Sequence, residues 1–137
     1  MAKEIDLTFL ESFTGGNPEK MKKYMNMFIQ MCPGQLTLMA NHLQSSNYDQ
    51  LRAAAHSLKP QITYMGIKRG EDLVKSIEHM AAEKRDVEKL PAMLDEFSSI
   101  CNLAIDELKQ HVAWNNNISL SNNKNLISPI NSLAWTR

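Results

Sequence analysis

The segment Ala53-Ala54-Ala55-His56-Ser57-Leu58-Lys59-Pro60-Gln61-Ile62-Thr63-Tyr64-Met65-Gly66 holds the residue types with the most evident chemistry. At about 100° per residue, Leu51, Ala54, Ala55, Leu58, Ile62 and Met65 share one side of a helix. His56 falls on the other side, among Asp49, Arg52, Lys59, Pro60 and Thr63, so the spacing predicts an imidazole in solvent halfway along a helix. An unperturbed imidazole titrates near pH ~6.5, and in water at cellular pH much of it offers a neutral, nucleophilic nitrogen with no catalytic base beside it. Lys59 lies three positions on, about 5–6 Å away at Cβ in helix geometry, where its ammonium can meet a phosphoryl oxygen carried by the ring. Arg52, four positions back, can add a second cation. Ala53, Ser57, Pro60, Thr63 and Tyr64 form a low, weakly polar collar suited to a transient interface.

The remaining reactive side chains read as structure. His79 and His111 follow Ser76 and Leu108 at the third position back, so neither makes the Glu-x-x-His pair of di-metal bundles, and His42 belongs to a Met-rich stripe. Cys32 and Cys101 share no metal-ligand spacing and read as reduced, buried small hydrophobes. Met21, Met25, Met31 and Met39 read as plastic core rather than a haem or copper site. Asp49 and Arg52 are expected to pair on the surface, and Lys68 and Arg69 to be solvated charge opening a helix.

The elements that must position these residues are all helical. A short amphipathic piece, Ile5 to Phe13, ends at Gly15-Gly16, and Asn17-Pro18-Glu19 supplies a cap, a first-turn proline and a first-turn acid. The helix from Pro18 carries Met21, Tyr24, Met25, Phe28, Met31, Cys32, Leu36, Met39 and Leu43 inward, with a kink expected at Pro33-Gly34. Asn47 to Gln50 has capping-box form and opens the histidine helix, which should stop near Met65 because Gly66 can take the left-handed conformation. A fourth helix, from about Lys68 to Ala82, turns Leu73, Ile77 and Met80 inward. The last runs to about Ala113 on Leu90, Leu94, Phe97, Cys101, Ala104, Leu108 and Val112. Four amphipathic helices on short links pack most simply as an all-α, antiparallel up-down four-helix bundle with a short extra N-terminal helix.

Composition bounds the function. The chain of 137 residues has 15 basic and 15 acidic side chains and no clustered basic run, which argues against a nucleic-acid partner. Charge at Lys3, Glu4 and Asp6 interrupts any signal-like apolar run, and no window reaches the length of a membrane span, so a cytoplasmic location is expected. Residues 1–114 read as one helical domain. Residues 115–137, crowded with Asn115, Asn116, Asn117, Asn122, Asn123, Asn125 and Asn131, read as a tail that is disordered or loosely attached.

Ala55-His56-Ser57-Leu58-Lys59, with Met65-Gly66 at the ninth and tenth positions after the histidine, resembles the signature of histidine-containing phosphotransfer domains, the four-helix modules of two-component phosphorelays. The order of a short leading helix, a long helix, the histidine helix and two more is similar over about residues 4–113. The resemblance implies a monomeric phosphorelay intermediate. His56 takes a phosphoryl group from a receiver aspartate, most simply on Nε2, and passes it to another, while Lys59 holds its charge. Response-regulator receiver domains and a hybrid sensor histidine kinase would be the partners, docking around Arg52, Ala53, Ser57, Pro60, Thr63 and Tyr64. The chain would need no cofactor of its own, because the receiver supplies Mg²⁺. No Gly-rich phosphate loop is readable, so ATP-dependent kinase activity is not expected. Family members usually carry Gly after the Lys, and here that place is Pro60, whose ring crowds the carbonyl of His56 and implies a bent or loosened turn. The alternative reading is a helical module that docks and inhibits receiver or kinase domains without passing phosphate.

Overall fold

Asn17 accepts the amide of Lys20 through its side chain at 3.1 Å, and Pro18, which has no N–H to leave unpaired, takes the first helical position. These two residues start α2 (Pro18–Gln44) in the computed structural model, which describes the backbone of residues 4–122 and the side chains of residues 4–113. It follows α1 (Thr8–Thr14) and is succeeded by α3 (Tyr48–Tyr64), α4 (Lys68–Glu83), a one-turn 3-10 helix at Val87–Lys89, and α5 (Leu90–Asn122). The described residues contain no strand. Packing runs from α2 to α3, α3 to α4 and α4 to α5, and α2 against α5 closes the ring. Asp49 faces Lys84 while His56 faces Glu78, so α3 and α4 run in opposite directions.

The four stripes meet in one core. Met25, Phe28, Cys32, Leu36 and Met39 of α2 and Leu51, Ala55, Leu58 and Ile62 of α3 are buried with Val74, Ile77 and Ala81 of α4. Leu90, Leu94, Phe97, Ile100, Cys101, Ala104, Ile105 and Leu108 complete it from α5. Each fully buried Leu or Phe contributes about 1.5–3 kcal/mol relative to its exposed state. Cys32 and Cys101 are both free and buried. The Cys101 thiol is held well above its ordinary range by a hydrogen bond with Cys32 and by burial, so Cys101 stays protonated and inert.

Three expectations need correction. Met31 is exposed, at the edge of the α2 stripe rather than within it. On α4 Ile77 turns inward as expected and Leu73 and Met80 pack half-buried against the core, with Val74 and Ala81 buried beside them. The last helix continues past Ala113 to Asn122, since an established hydrogen-bond ladder extends more readily than it starts; the expectation for the remainder of the tail lies outside the described residues. The first helix begins at Thr8 rather than Ile5, because the preceding amides are taken elsewhere. Glu107 accepts the backbone N–H groups of Glu4, at 2.8 and 3.1 Å, and of Ile5, at 3.2 Å. Asp6 donates its own to the Met65 carbonyl at 3.1 Å. Both helix prolines, Pro33 and Pro60, lie inside helices that continue on either side of them.

Residues 4–7 thus form a strap across one end of the bundle. The nearly buried Glu4 carboxylate takes two hydrogen bonds from the Arg69 guanidinium, at 2.6 and 3.1 Å, so Arg69 is a strap residue and not free surface charge. Those hydrogen bonds hold the guanidinium above its usual range. Gly66 ends α3 at φ +64°, and a Cβ there would run into the Asp6 carbonyl, so only glycine serves both the turn and the strap.

Candidate functional site

Leu51, Ala55, Leu58 and Ile62 anchor the inner face of α3, which turns His56 outward: its side chain is 64% exposed. Asn47, accepting the Gln50 amide at 3.4 Å, caps the start of the helix that carries it. The ring stands in solvent as the spacing predicts, but not without a carboxylate beside it. Glu78, from α4, approaches its Nδ1 to 2.6 Å with Oε2 and receives the Lys59 ammonium on Oε1 at 2.7 Å. One carboxylate therefore holds both chemically active side chains of α3. Burial pushes the Glu78 carboxyl up, but the hydrogen bonds from Lys59 and His56 outweigh it and hold it below the usual carboxylate range. Glu78 is thus ionised at neutral pH.

An ionised carboxylate can only accept hydrogen bonds, so the proton of the neutral ring belongs on Nδ1 and Nε2 keeps its lone pair. Nδ1 faces the seam with α4, and the opposite edge of the ring faces water. A nucleophile so arranged can attack an electrophile brought by another molecule, with Lys59 one turn away to meet incoming anionic charge.

The structure brings only part of the expected collar together. Ala53, Ser57, Pro60 and Thr63 are exposed on the flank of His56, and Arg52 is exposed with no ion pair among the described residues. Asp49 meets Lys84 at 3.7 Å rather than Arg52. Tyr64 is half-buried, not open, because α1 lays aromatic rings on it: Phe9 stacks at 5.7 Å and Phe13 at 5.6 Å between centroids. Phe13 also meets Tyr24 of α2 edge-on at 5.6 Å. Phe9 and Phe13 remain 48% and 53% exposed, which extends the collar into an aromatic shelf. The strap aims this shelf, since it fixes the start of α1.

Sequence reasoning missed Glu78 and the shelf. A signal for Glu78 existed: His56 lies ten residues before Gly66 and Glu78 twelve after, so a reversal at that glycine sets them side by side. His42, His79 and His111 gather no partners, and no cluster of three or more metal-ligating side chains occurs among the described residues. A cavity of about 560 Å³ lies at the strap, lined by Glu4, Asp6, Lys68, Arg69 and His111, away from His56. No helix of the described residues is long and apolar enough to cross a membrane.

The described residues thus form an all-helical ring that turns His56 outward, held at Nδ1 by Glu78, with Lys59 one turn on. Residues 23–112 match the family model for the Hpt domain, and the chain belongs to that family, whose members carry phosphoryl groups in phosphorelays. Its fold is similar to the crystal structure of histidine-containing phosphotransfer protein B from Pseudomonas aeruginosa PAO1. The TM-score is 0.73 at 20% identity, over 82% of this chain and 96% of the other. No curated protein matches the sequence.

Proposed function

We propose that this protein is a phosphorelay intermediate that accepts a phosphoryl group from a receiver-domain aspartate onto His56 and hands it to a second receiver aspartate. The observation that carries the reading is the His56 ring itself, exposed at one edge and held at Nδ1 by Glu78. The receiver brings the phospho-aspartate and its Mg²⁺, and this chain supplies no metal. Nε2 attacks phosphorus in line with the departing carboxylate, and Lys59 meets the phosphoryl oxygens. Acyl phosphate and phosphohistidine are both energy-rich, so partner levels set the direction of flow. Arg52, Ala53, Ser57, Pro60, Thr63 and Tyr64, continued by the exposed edges of Phe9 and Phe13, make the docking face. The protein works in this reading as a cytoplasmic monomer, engaging response-regulator receivers and a hybrid sensor histidine kinase, and acts as a carrier rather than a kinase.

Incubation with a phosphorylated receiver tests it. Acid-labile, alkali-stable label should appear on wild type and be absent from His56→Gln. Receiver binding without label would instead assign the chain to a docking module that inhibits without transfer, the reading that Pro60 in place of the usual glycine favours.

A further inference from the structure

α1 has 7 residues, well short of the ~12 that an isolated helix needs in water, so its place on the bundle is decided by its ends and by what it packs on. Gly15, in the left-handed conformation, closes its far end. Its near end is the strap, tied to the Met65 carbonyl after α3, to α4 by the Arg69 guanidinium on Glu4, and to α5 by the Glu107 carboxylate. Between those ends Leu10 is fully buried, while Phe9 and Phe13 stack on Tyr64 and stay half-exposed. Pro60 and Tyr64 follow His56 one and two turns on along α3, so the aromatic shelf borders the row that carries the imidazole.

The Glu4 side chain is only 6% exposed, against 60% for Arg69. Stability alone is a weak reason to cover a carboxylate in this way, because apolar side chains of similar size commonly match a covered ion pair. What the pair adds is direction: a fork of hydrogen bonds, at 2.6 and 3.1 Å, fixes where the strap begins. Building on the phosphocarrier reading, we infer that Arg69 is a positioning residue for receiver docking. It acts through Glu4 and the strap, which set the angle of α1 and with it the exposed edges of Phe9 and Phe13. A receiver closing on His56 meets those edges in one orientation, and interfacial aromatic side chains contribute only when they sit in their complementary pockets. Latch and chemistry use separate contacts, since Arg69 pairs with Glu4 while His56 and Lys59 pair with Glu78. Loosening the latch should therefore weaken the encounter and spare the chemical step.

Two phosphodonors, applied to the full-length protein, separate encounter from chemistry: a phosphorylated receiver, which needs the docking face, and phosphoramidate, a small donor that releases ammonia and needs none. In Arg69→Ala the receiver concentration for half-maximal transfer should rise about five- to tenfold, the scale of a misplaced interfacial aromatic side chain. The rate at saturating receiver and the labelling by phosphoramidate should stay at their wild-type values. Arg69→Lys, which keeps a cation on Glu4 but not the fork, should lose less affinity. With Phe9→Ala and Phe13→Ala already in place, Arg69→Ala should add little, because the shelf it aims is gone. If Arg69→Ala does not fold, Arg69→Ala combined with Glu4→Gln, which leaves no covered charge unpartnered, replaces it in each comparison. An unmoved half-saturation, or an effect as large without the shelf rings as with them, overturns the role of Arg69 alone. So does a loss of phosphoramidate labelling, which would place Arg69 with the chemistry or the fold instead of docking. Wild type that takes label from neither donor overturns the phosphocarrier reading and this role with it.

Discussion

Lys59 and Glu78 are joined across the seam of α3 and α4 at 2.7 Å, the ammonium about one-third exposed and the carboxylate largely covered. The Lys59 ammonium is therefore held on the same carboxylate that meets Nδ1 of His56. An ion pair this accessible contributes about 0.2–1 kcal/mol to stability, so losing it should not threaten the fold.

Lys59→Ala should accordingly separate function from folding. Transfer should slow, or the phosphohistidine lifetime shorten, by about tenfold, since one donor to developing phosphoryl charge is removed in a water-accessible setting. Lys59→Arg should recover part of the loss, because a guanidinium also reaches phosphoryl oxygens. Rapid-quench transfer assays and urea denaturation, run on the same three proteins, give both quantities. Unchanged kinetics in Lys59→Ala would remove its proposed role.

The strap predicts a stability effect at a residue distant from the chemistry. Gly66→Ala must place a β-carbon in a left-handed conformation, at about 1–2 kcal/mol, and push it into the Asp6 carbonyl. The Asp6 to Met65 hydrogen bond should then break, taking Glu4 and Ile5 off Glu107 and loosening α1 beneath its aromatic shelf. Urea denaturation should show a loss of about 2 kcal/mol or more, with Tyr64 becoming more accessible. A variant as stable as wild type would show that the strap does not bear on Gly66.

Why the strap was not legible in the sequence, while the bundle was, follows from the range of the forces involved. Phe28, Leu58, Ile77 and Phe97 announce their burial through neighbours three and four positions away, a pattern any helix must repeat. Glu4 with Arg69, and Glu107 with two backbone amides, are joined across long stretches of chain by polar contacts that leave no periodic trace. At the site the division is the same. His56 and Lys59 share one helix, and their common face could be read from spacing. Glu78 stands next to Ile77 on another helix, where an acidic side chain reads as solvated until α3 and α4 are set side by side.

The charge state of Glu78 gives a pH-dependent stability with a definite sign. Burial raises its pKa, the hydrogen bonds from Lys59 and His56 lower it by more, and the folded value lies below the ordinary 4.5. The unfolded chain thus takes up this proton first as pH falls. The stabilisation is present above the unfolded pKa and is lost as pH drops through the depressed folded one. The urea midpoint of wild type should stay above that of Glu78→Gln from neutral pH down to about the ordinary glutamate range, and the gap should close below it. A gap independent of pH throughout would mean that the ion pair with Lys59 is not what separates the two proteins.

Pro60 offers the last prediction, because it lies one turn after His56, the proposed phosphoacceptor, inside a continuous helix. Proline has no N–H to give the His56 carbonyl, and its ring crowds that same oxygen, so the turn bearing His56 lacks one rung of the ladder. Pro60→Ala restores the donor and removes the crowding, and should raise stability by about 1–3 kcal/mol. Hydrogen exchange should show the new amide at position 60 protected. If the missing hydrogen bond helps His56 reach a receiver, the same variant should transfer phosphate more slowly than wild type despite its greater stability, and Pro60→Gly should transfer faster than Pro60→Ala, because glycine is the more pliable residue there. Equal rates in all three proteins would show that the missing rung bears on stability alone.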